Sequence, residues 1–195
     1  MFNRAGMLCA DGRCKSLDAG ADGYVRGEAC VSLVLQLSSS SAAYDQVLCT
    51  LQGSAVNQDG RSSTLTAPNG PAQQAAVRLA LKSGSLAVKD LGMVQLHGTG
   101  TPLGDPIEVG ALTAVLGRSG CERVVLAAGK TSVGHTEPAA GLVGVAHAAA
   151  ALVSGIMQPL LHLRQVSMGE AFKDLVALSL HGNALRSEVM FARLV

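Results

Sequence analysis

The strongest constraint on the fold is a rhythm that runs twice between residues 92 and 154: a short apolar run, a glycine-rich turn, then a longer stretch of helical character. Read by period and turn chemistry, it predicts a strand at 92–97, a helix from about Asp105 to Leu116, a strand at 123–128 and a helix from about Glu137 to Ser154. Strands that alternate with helices need crossover connections, so the sheet is expected to be mostly parallel and covered. Each strand is followed by a turn that carries a histidine, His97 in "VQLHGTGTPLGDPIEVGAL" and His135 in "GKTSVGHTEPAAG". Such turns gather at the carboxyl edge of the sheet, where the next helix offers backbone N–H groups and a positive dipole. Both imidazoles are therefore expected at one edge.

Around this centre the pattern is less regular. Pro71 suits the first turn of a helix, with Ala75, Ala76, Leu79 and Ala80 on its apolar face and Gly84 near its end. Residues 24–37 and 47–56 are apolar and β-rich, separated by "SSSSAAYDQ", and read as neighbouring strands. After His162 the rhythm fades, leaving a short helix at 168–175 and a strand at 175–180 as the elements suggested.

With 48% apolar and 15% charged residues, the 195-residue chain can bury a core, and the scarcity of aromatics means that short side chains must close it. Fifteen basic and fourteen acidic residues give a formal net charge of +1 with no basic stripe, which argues against nucleic acid as a partner. The five cysteines include no C-x-x-C pair, which argues against a disulfide framework or a zinc ribbon. "MFNRAGMLCADGRCK" has no apolar core of a secretory signal, so a cytoplasmic location is expected. Pro138 to Ile156 is uncharged over nearly a membrane span, but its Ala and Gly content and His147 favour a buried core helix, and no membrane partner is expected.

Several chemistries fail on spacing. "GKT" at Gly129–Thr131 lacks the glycine that a phosphate loop needs five positions earlier, where Val124 stands, and "GTGTPLG" places Leu103 where a dinucleotide fingerprint closes on glycine. His135-Thr136-Glu137 is not followed by P-C-x-x-C, and no H-x-x-x-H pair occurs, so no metal is expected. His147, His162 and His181 read as structural or solvent-exposed. For His97 and His135 two readings stand: loop imidazoles satisfied by local backbone, or a pair of neutral N–H donors that hold a developing oxyanion. Thr99 and Thr101, alternating with Gly98 and Gly100, suit a wall for a polar, extended ligand. The helix start beside His135, and Lys130 five residues before it, would both disfavour imidazolium.

Taken together, "DGRCKSLDAGADGYVRGEAC", "GSAVNQDGRSSTLTAPNGPAQ", "HGTGTPLGDPIE" and "GKTSVGHTEPAAGLVGV" resemble the β-ketoacyl synthases, most closely the ketosynthase domains of modular type I polyketide synthases. The resemblance implies an α/β, thiolase-like αβαβα sandwich, here mainly its C-terminal half. It also implies decarboxylative Claisen condensation of an acyl thioester with a malonyl-type extender, in polyketide or fatty acid biosynthesis. By that match His97 and His135 are the two histidines that stabilise the enolate, Lys130 is the lysine behind the site and Glu137 its carboxylate neighbour. Thr99, Thr101 and Thr66 match pantetheine-contacting threonines. No cofactor is implied as directly bound, because the substrate rides on the phosphopantetheine of an acyl carrier protein, the expected partner. A homodimer is expected of the complete domain.

The chain also departs from that family. The reactive cysteine of an Asp-Thr-Ala-Cys-Ser-Ser type elbow is found nowhere in the sequence, and neither is the closing Gly-Thr-Asn-Ala-His segment. Cys14 stands where the family often carries an unreactive cysteine, and Cys9 and Cys30 read as small core residues. The expectation is a partial β-ketoacyl synthase domain over 1–163 and a divergent tail over 164–195. On this reading the N-terminal half is a missing partner and the isolated chain is inactive for want of a nucleophile. The alternative is a non-catalytic scaffold or dimerisation remnant, or a truncated gene model.

Overall fold

The computed structural model describes residues 3, 6–37, 47–62, 67–117, 124–167, 176–178 and 190–192. Four short parallel strands form one sheet in the order β3-β2-β1-β4, with β1 at Met93–Gln95, β2 at Val124–Ala127, β3 at Val176–Leu178 and β4 at Met190–Ala192. In the central pair, Met93, Val94 and Gln95 stand opposite Val125, Leu126 and Ala127. Both are buried or half-buried along their length and apolar but for Gln95, as expected of strands covered on two faces.

Alternation along these strands sorts the core into two layers. Val94, Leu96, Val124 and Leu126 join Val77 and Leu81 of α1 (Gly70–Ser83) and Val109, Leu112 and Leu116 of α2 (Gly104–Leu116). Met93 and Ala127 instead meet Ala148 and Ala151 of α4 (Ala140–Ser154), together with Met157. Each buried Leu or Val contributes about 1.5–3 kcal/mol of transfer free energy, which ties α1 and α2 to one sheet face. On the other face small residues let α4 approach closely: a Cβ on Gly144 would lie 3.6 Å from Gln95 Cγ.

The ends of α1 follow sequence chemistry. Asn69 Oδ1 accepts the Ala72 N–H at 3.1 Å, Pro71 occupies the first turn, and the Gly84 N–H closes on Ala80 O. Its buried stripe, however, is Gln73, Val77, Ala80 and Leu81, while Ala75 and Leu79 are exposed. The stripe is rotated because α1 packs on α2 as well as on the sheet, which favours the branched Val77 over the alanines.

Two expected strands are absent. Residues 27–37 and 47–56 carry no regular structure, and Val34, Leu37 and Val56 are at least 95% exposed. A β-rich run becomes a strand only where a neighbour offers a hydrogen-bond ladder; among the described residues, those beside β1 and β2 are β3 and β4. Tyr24 and Arg26 make isolated bridges, to Leu8 and to His135. The strand expected at 175–180 is present as β3, whereas the helix expected at 168–175 lies outside the described residues.

The helix expected at about 137–154 forms as a 3-10 turn at Glu137–Ala139 followed by α4. It is long and apolar enough, by length and composition, to cross a membrane. Instead of burial all round, it is covered along one stripe through Ala140, Ala148 and Ala151, with Val153 exposed. Cys30 is exposed as well, contrary to its reading as a core residue, because it falls in the unpaired 27–37 run.

Candidate functional site

Parallel pairing of β1 and β2 brings the two histidine turns side by side at the carboxyl edge of the sheet. The His97 and His135 rings meet edge-to-face, with centroids 5.3 Å apart and planes at 86°. The Tyr24 ring also packs on His135, with centroids 5.1 Å apart.

The His97 turn is fixed from beneath by carboxylates of α2. Glu108, buried one turn into the helix, accepts the His97 N–H at 2.7 Å and the Gly98 N–H at 2.9 Å. Asp105 accepts the N–H of Gly100 at 3.1 Å and of Leu17 at 2.9 Å. From the other side the Ser16 hydroxyl donates to Gly98 O, and Gly23 donates to Gly100 O at 3.0 Å. Gly100 is obligatory here, since at φ +78° a Cβ would lie 2.7 Å from the Lys15 backbone nitrogen. Sequence reasoning missed Glu108, Asp105 and Ser16. Nothing in the spacing of "GDPIE" separates its two acids from ordinary acids near a helix start; their burial does.

Lys130 opens α3 (Lys130–Val133), a single turn that follows β2. Its ammonium donates to His97 O at 2.8 Å and lies 3.4 Å from His97 Nδ1. Burial pushes the Lys130 pKa down, opposed by the nearby charges of Glu108, Cys14 and Asp105. Burial likewise pushes the Asp105 carboxyl up, against the pull of its backbone donors and Lys130.

On the second ring, the Glu137 N–H donates to His135 Nδ1 at 3.1 Å. The backbone of this segment is held by the bonds from His135 N–H to Val25 O at 2.7 Å and from Gly27 N–H to His135 O at 2.9 Å. The His135 pKa is lowered, first by burial and then by Lys130 and Arg26, with Glu137 opposing. The Glu137 carboxylate itself turns away, with Oε1 3.5 Å from Arg26 Nε. A donor thus stands at Nδ1 of each imidazole, an arrangement that favours the neutral tautomer with its proton on Nε2.

Thr99 and Thr101 are brought together by the same turn, with their hydroxyl oxygens 3.3 Å apart, and Thr101 Oγ1 also accepts the Gly104 N–H at the start of α2. Thr66 lies outside the described residues. A small cavity beside His97 and Lys130 is bounded by Gly129 and by Ala140, Gly141 and Gly144 of α4.

The described cysteines Cys9, Cys14, Cys30 and Cys49 are free thiols. Burial raises the pKa of Cys9 and of Cys14, so neither is held as a reactive thiolate. Among the described residues no group of three or more His, Cys, Asp or Glu is placed to hold a metal ion.

Comparison with known proteins identifies the family of the chain. The β-ketoacyl synthase C-terminal domain profile matches residues 48–164, and the N-terminal domain profile matches residues 1–41. The chain belongs to the β-ketoacyl synthase family. It is 47% identical over 167 residues to a phenolphthiocerol/phthiocerol polyketide synthase of Mycobacterium tuberculosis, covering 85% of this chain and 8% of that protein. It is 46% identical over 161 residues to erythronolide synthase EryA2 of Saccharopolyspora erythraea, covering 82% of this chain and 4% of that protein. Among solved structures, the ketosynthase from module 6 of the bacillaene synthase of Bacillus subtilis 168 superposes with a TM-score of 0.83 at 28% identity, over 95% of this chain and 34% of that one. The chain therefore has the thiolase-like fold of modular type I polyketide synthase ketosynthases, mostly its C-terminal portion. It spans about a third of the ketosynthase structures it matches and under a tenth of the two synthases.

Proposed function

We propose that this chain carries the enolate-stabilising part of a condensing site, in which His97 and His135 receive the negative charge that develops on a thioester oxygen. The observation that carries this reading is a donor standing at Nδ1 of each of two adjoining rings. Lys130 Nζ stands at His97 Nδ1 and the Glu137 N–H donates to His135 Nδ1, so each neutral ring offers Nε2–H. Preorganised donors of this kind commonly supply about two to three orders of magnitude in rate each.

The substrate on this reading is a malonyl-type thioester on the phosphopantetheine of an acyl carrier protein, with Thr99, Thr101 and Thr66 along the pantetheine arm. The bond between the carboxylate and the α-carbon breaks and carbon dioxide leaves. The electron pair moves through the α-carbon onto the thioester oxygen, where the two Nε2–H groups hold it. The resulting enolate carbon attacks an acyl thioester, a carbon–carbon bond forms, and the cysteine thiolate departs. No Asp-x-Ala-Cys-Ser string occurs in the sequence, so the acyl-bearing cysteine has to come from another segment or chain. Lys130, at the Nδ1 side of His97, disfavours imidazolium and orients His97 through its bond to the His97 carbonyl.

A second reading, a non-catalytic domain that docks other chains, draws on the exposed apolar run from Leu33 to Leu37. One experiment separates the two. A chimera is made by fusing the cysteine-bearing upstream segment of a related ketosynthase to this chain, and carbon dioxide release from malonyl-carrier protein is followed. Condensing function predicts decarboxylation that His97→Ala and His135→Ala each lower by about two to three orders of magnitude. A folded chimera that releases none, while the parent ketosynthase does, refutes it.

A further inference from the structure

We propose that His147 is a positioning residue whose imidazole sets the height of the Gly129–Lys130 turn and, through the Lys130 ammonium, the placement of His97. The inference begins with Gly129. Its backbone, at φ −62° and ψ −21°, suits any L-residue, so nothing conformational demands glycine there. The space is what demands it. A Cβ at 129 would lie 3.0 Å from His147 Nδ1, 3.1 Å from Cε1 and 3.1 Å from Cγ, and these are its three nearest atoms. The ring thus occupies the volume in which a side chain would grow.

His147 shares the inward stripe of α4 with Ala140, Gly144 and Ala151, at spacings of three and four residues. It is half-buried and lines a cavity of roughly one water's volume with Met93, Gln95, Met157 and Gln158. Burial lowers its pKa, which keeps the ring neutral and compact at neutral pH. Directly after Gly129, Lys130 donates to His97 O at 2.8 Å. A shift of the turn is therefore passed to the ammonium and from there to the His97 carbonyl. Only the catalytic consequence rests on the function proposed above; the steric coupling does not.

The test is a size swap in the full chain, read from the imidazole nitrogen resonances of each histidine. Gly129→Ala is expected to move the His97 signals as well as those of His147. Adding His147→Ala, or His147→Ser should the alanine variant melt, makes room for the new methyl and returns the His97 signals toward wild type. A wholly local packing role predicts that Gly129→Ala leaves His97 unmoved, and that result overturns the proposal. So does a double variant whose His97 signals stay where Gly129→Ala put them. In the chimera, Gly129→Ala is expected to lower kcat roughly tenfold to a hundredfold with KM for the carrier protein unchanged, and the double variant to recover it. A wild-type chimera without turnover counts against the condensing reading, while the resonances still decide the coupling.

Discussion

Removing the Glu108 side chain should cost more stability than any exposed acid on this chain. In Glu108→Ala the N–H groups of His97 and Gly98, held at 2.7 and 2.9 Å, lose their acceptor inside the protein. Leaving a buried donor unpaired costs about 1–3 kcal/mol, so two adjacent donors cost roughly 2–6 kcal/mol with incomplete additivity. Lys130 also loses a charge that supports its protonated form. About 4 kcal/mol, the middle of that range, is the expected loss. For a chain of this length each kcal/mol moves the midpoint by about 2–4 °C, so thermal unfolding should begin about 8–16 °C lower. Glu108→Gln keeps one acceptor but turns an amide N–H toward the second donor, so it should fall between. Exposed Glu28→Ala is the control, expected within about 0.5 kcal/mol of wild type. If Glu108→Ala melts with the control, the carboxylate is not what holds the His97 turn.

Three other outcomes follow from the same geometry. Lys130→Ala should raise the His135 pKa toward its ordinary 6.5, because the ammonium is one of the causes that lower it; an imidazole NMR titration reads this, and an unchanged or lower value refutes it. His135 and His147 both have folded pKa values below 6.5, so their share of stability is fully present above about pH 6.5. It is lost as the pH falls toward their folded values, since the unfolded chain binds protons first. Urea midpoints should therefore drop between pH 7.5 and 5.5, and drop less in His147→Asn. Asp18 accepts the N–H groups of Arg164 and Gln165 at 2.6 and 2.9 Å, so Asp18→Ala should speed hydrogen exchange at those two amides while leaving α1 protected.

What the sequence made legible is what local chemistry decides. Pro71 and Gly84 mark α1 to within a residue or two, and the apolar runs around Val94 and Leu126 become β1 and β2 because both faces of those strands are covered. The convergence of His97 and His135 needed only parallel neighbours with a histidine turn after each. Residues 27–37 and 47–56 misled because β propensity describes fit to a pleated surface, and the ladder partner is a non-local fact. Glu108 was invisible for a related reason: a carboxylate one turn into a helix looks the same whether it faces water or two backbone N–H groups. His147 read as structural because its significance lies in a contact with Gly129 that no spacing rule encodes.

The support of the site is distributed in a telling way. His97 is held by Glu108 and Lys130, and its turn by Asp105, Ser16 and Gly23; His135 is held by Val25, Gly27 and the Glu137 N–H. All these bonds come from residues 16–27, 97–108 and 129–137, and none from the exposed runs at 33–37 and 47–56. Exposed apolar runs of that kind favour association, so the chain should self-associate as its concentration rises. That association need not disturb the imidazole pair, since these bonds lie outside the exposed runs. Self-association detected by light scattering should therefore leave the His97 and His135 resonances in position while broadening those of Val34 and Leu48. If the histidine signals move together with the runs, the site is not locally supported and depends on what covers those surfaces.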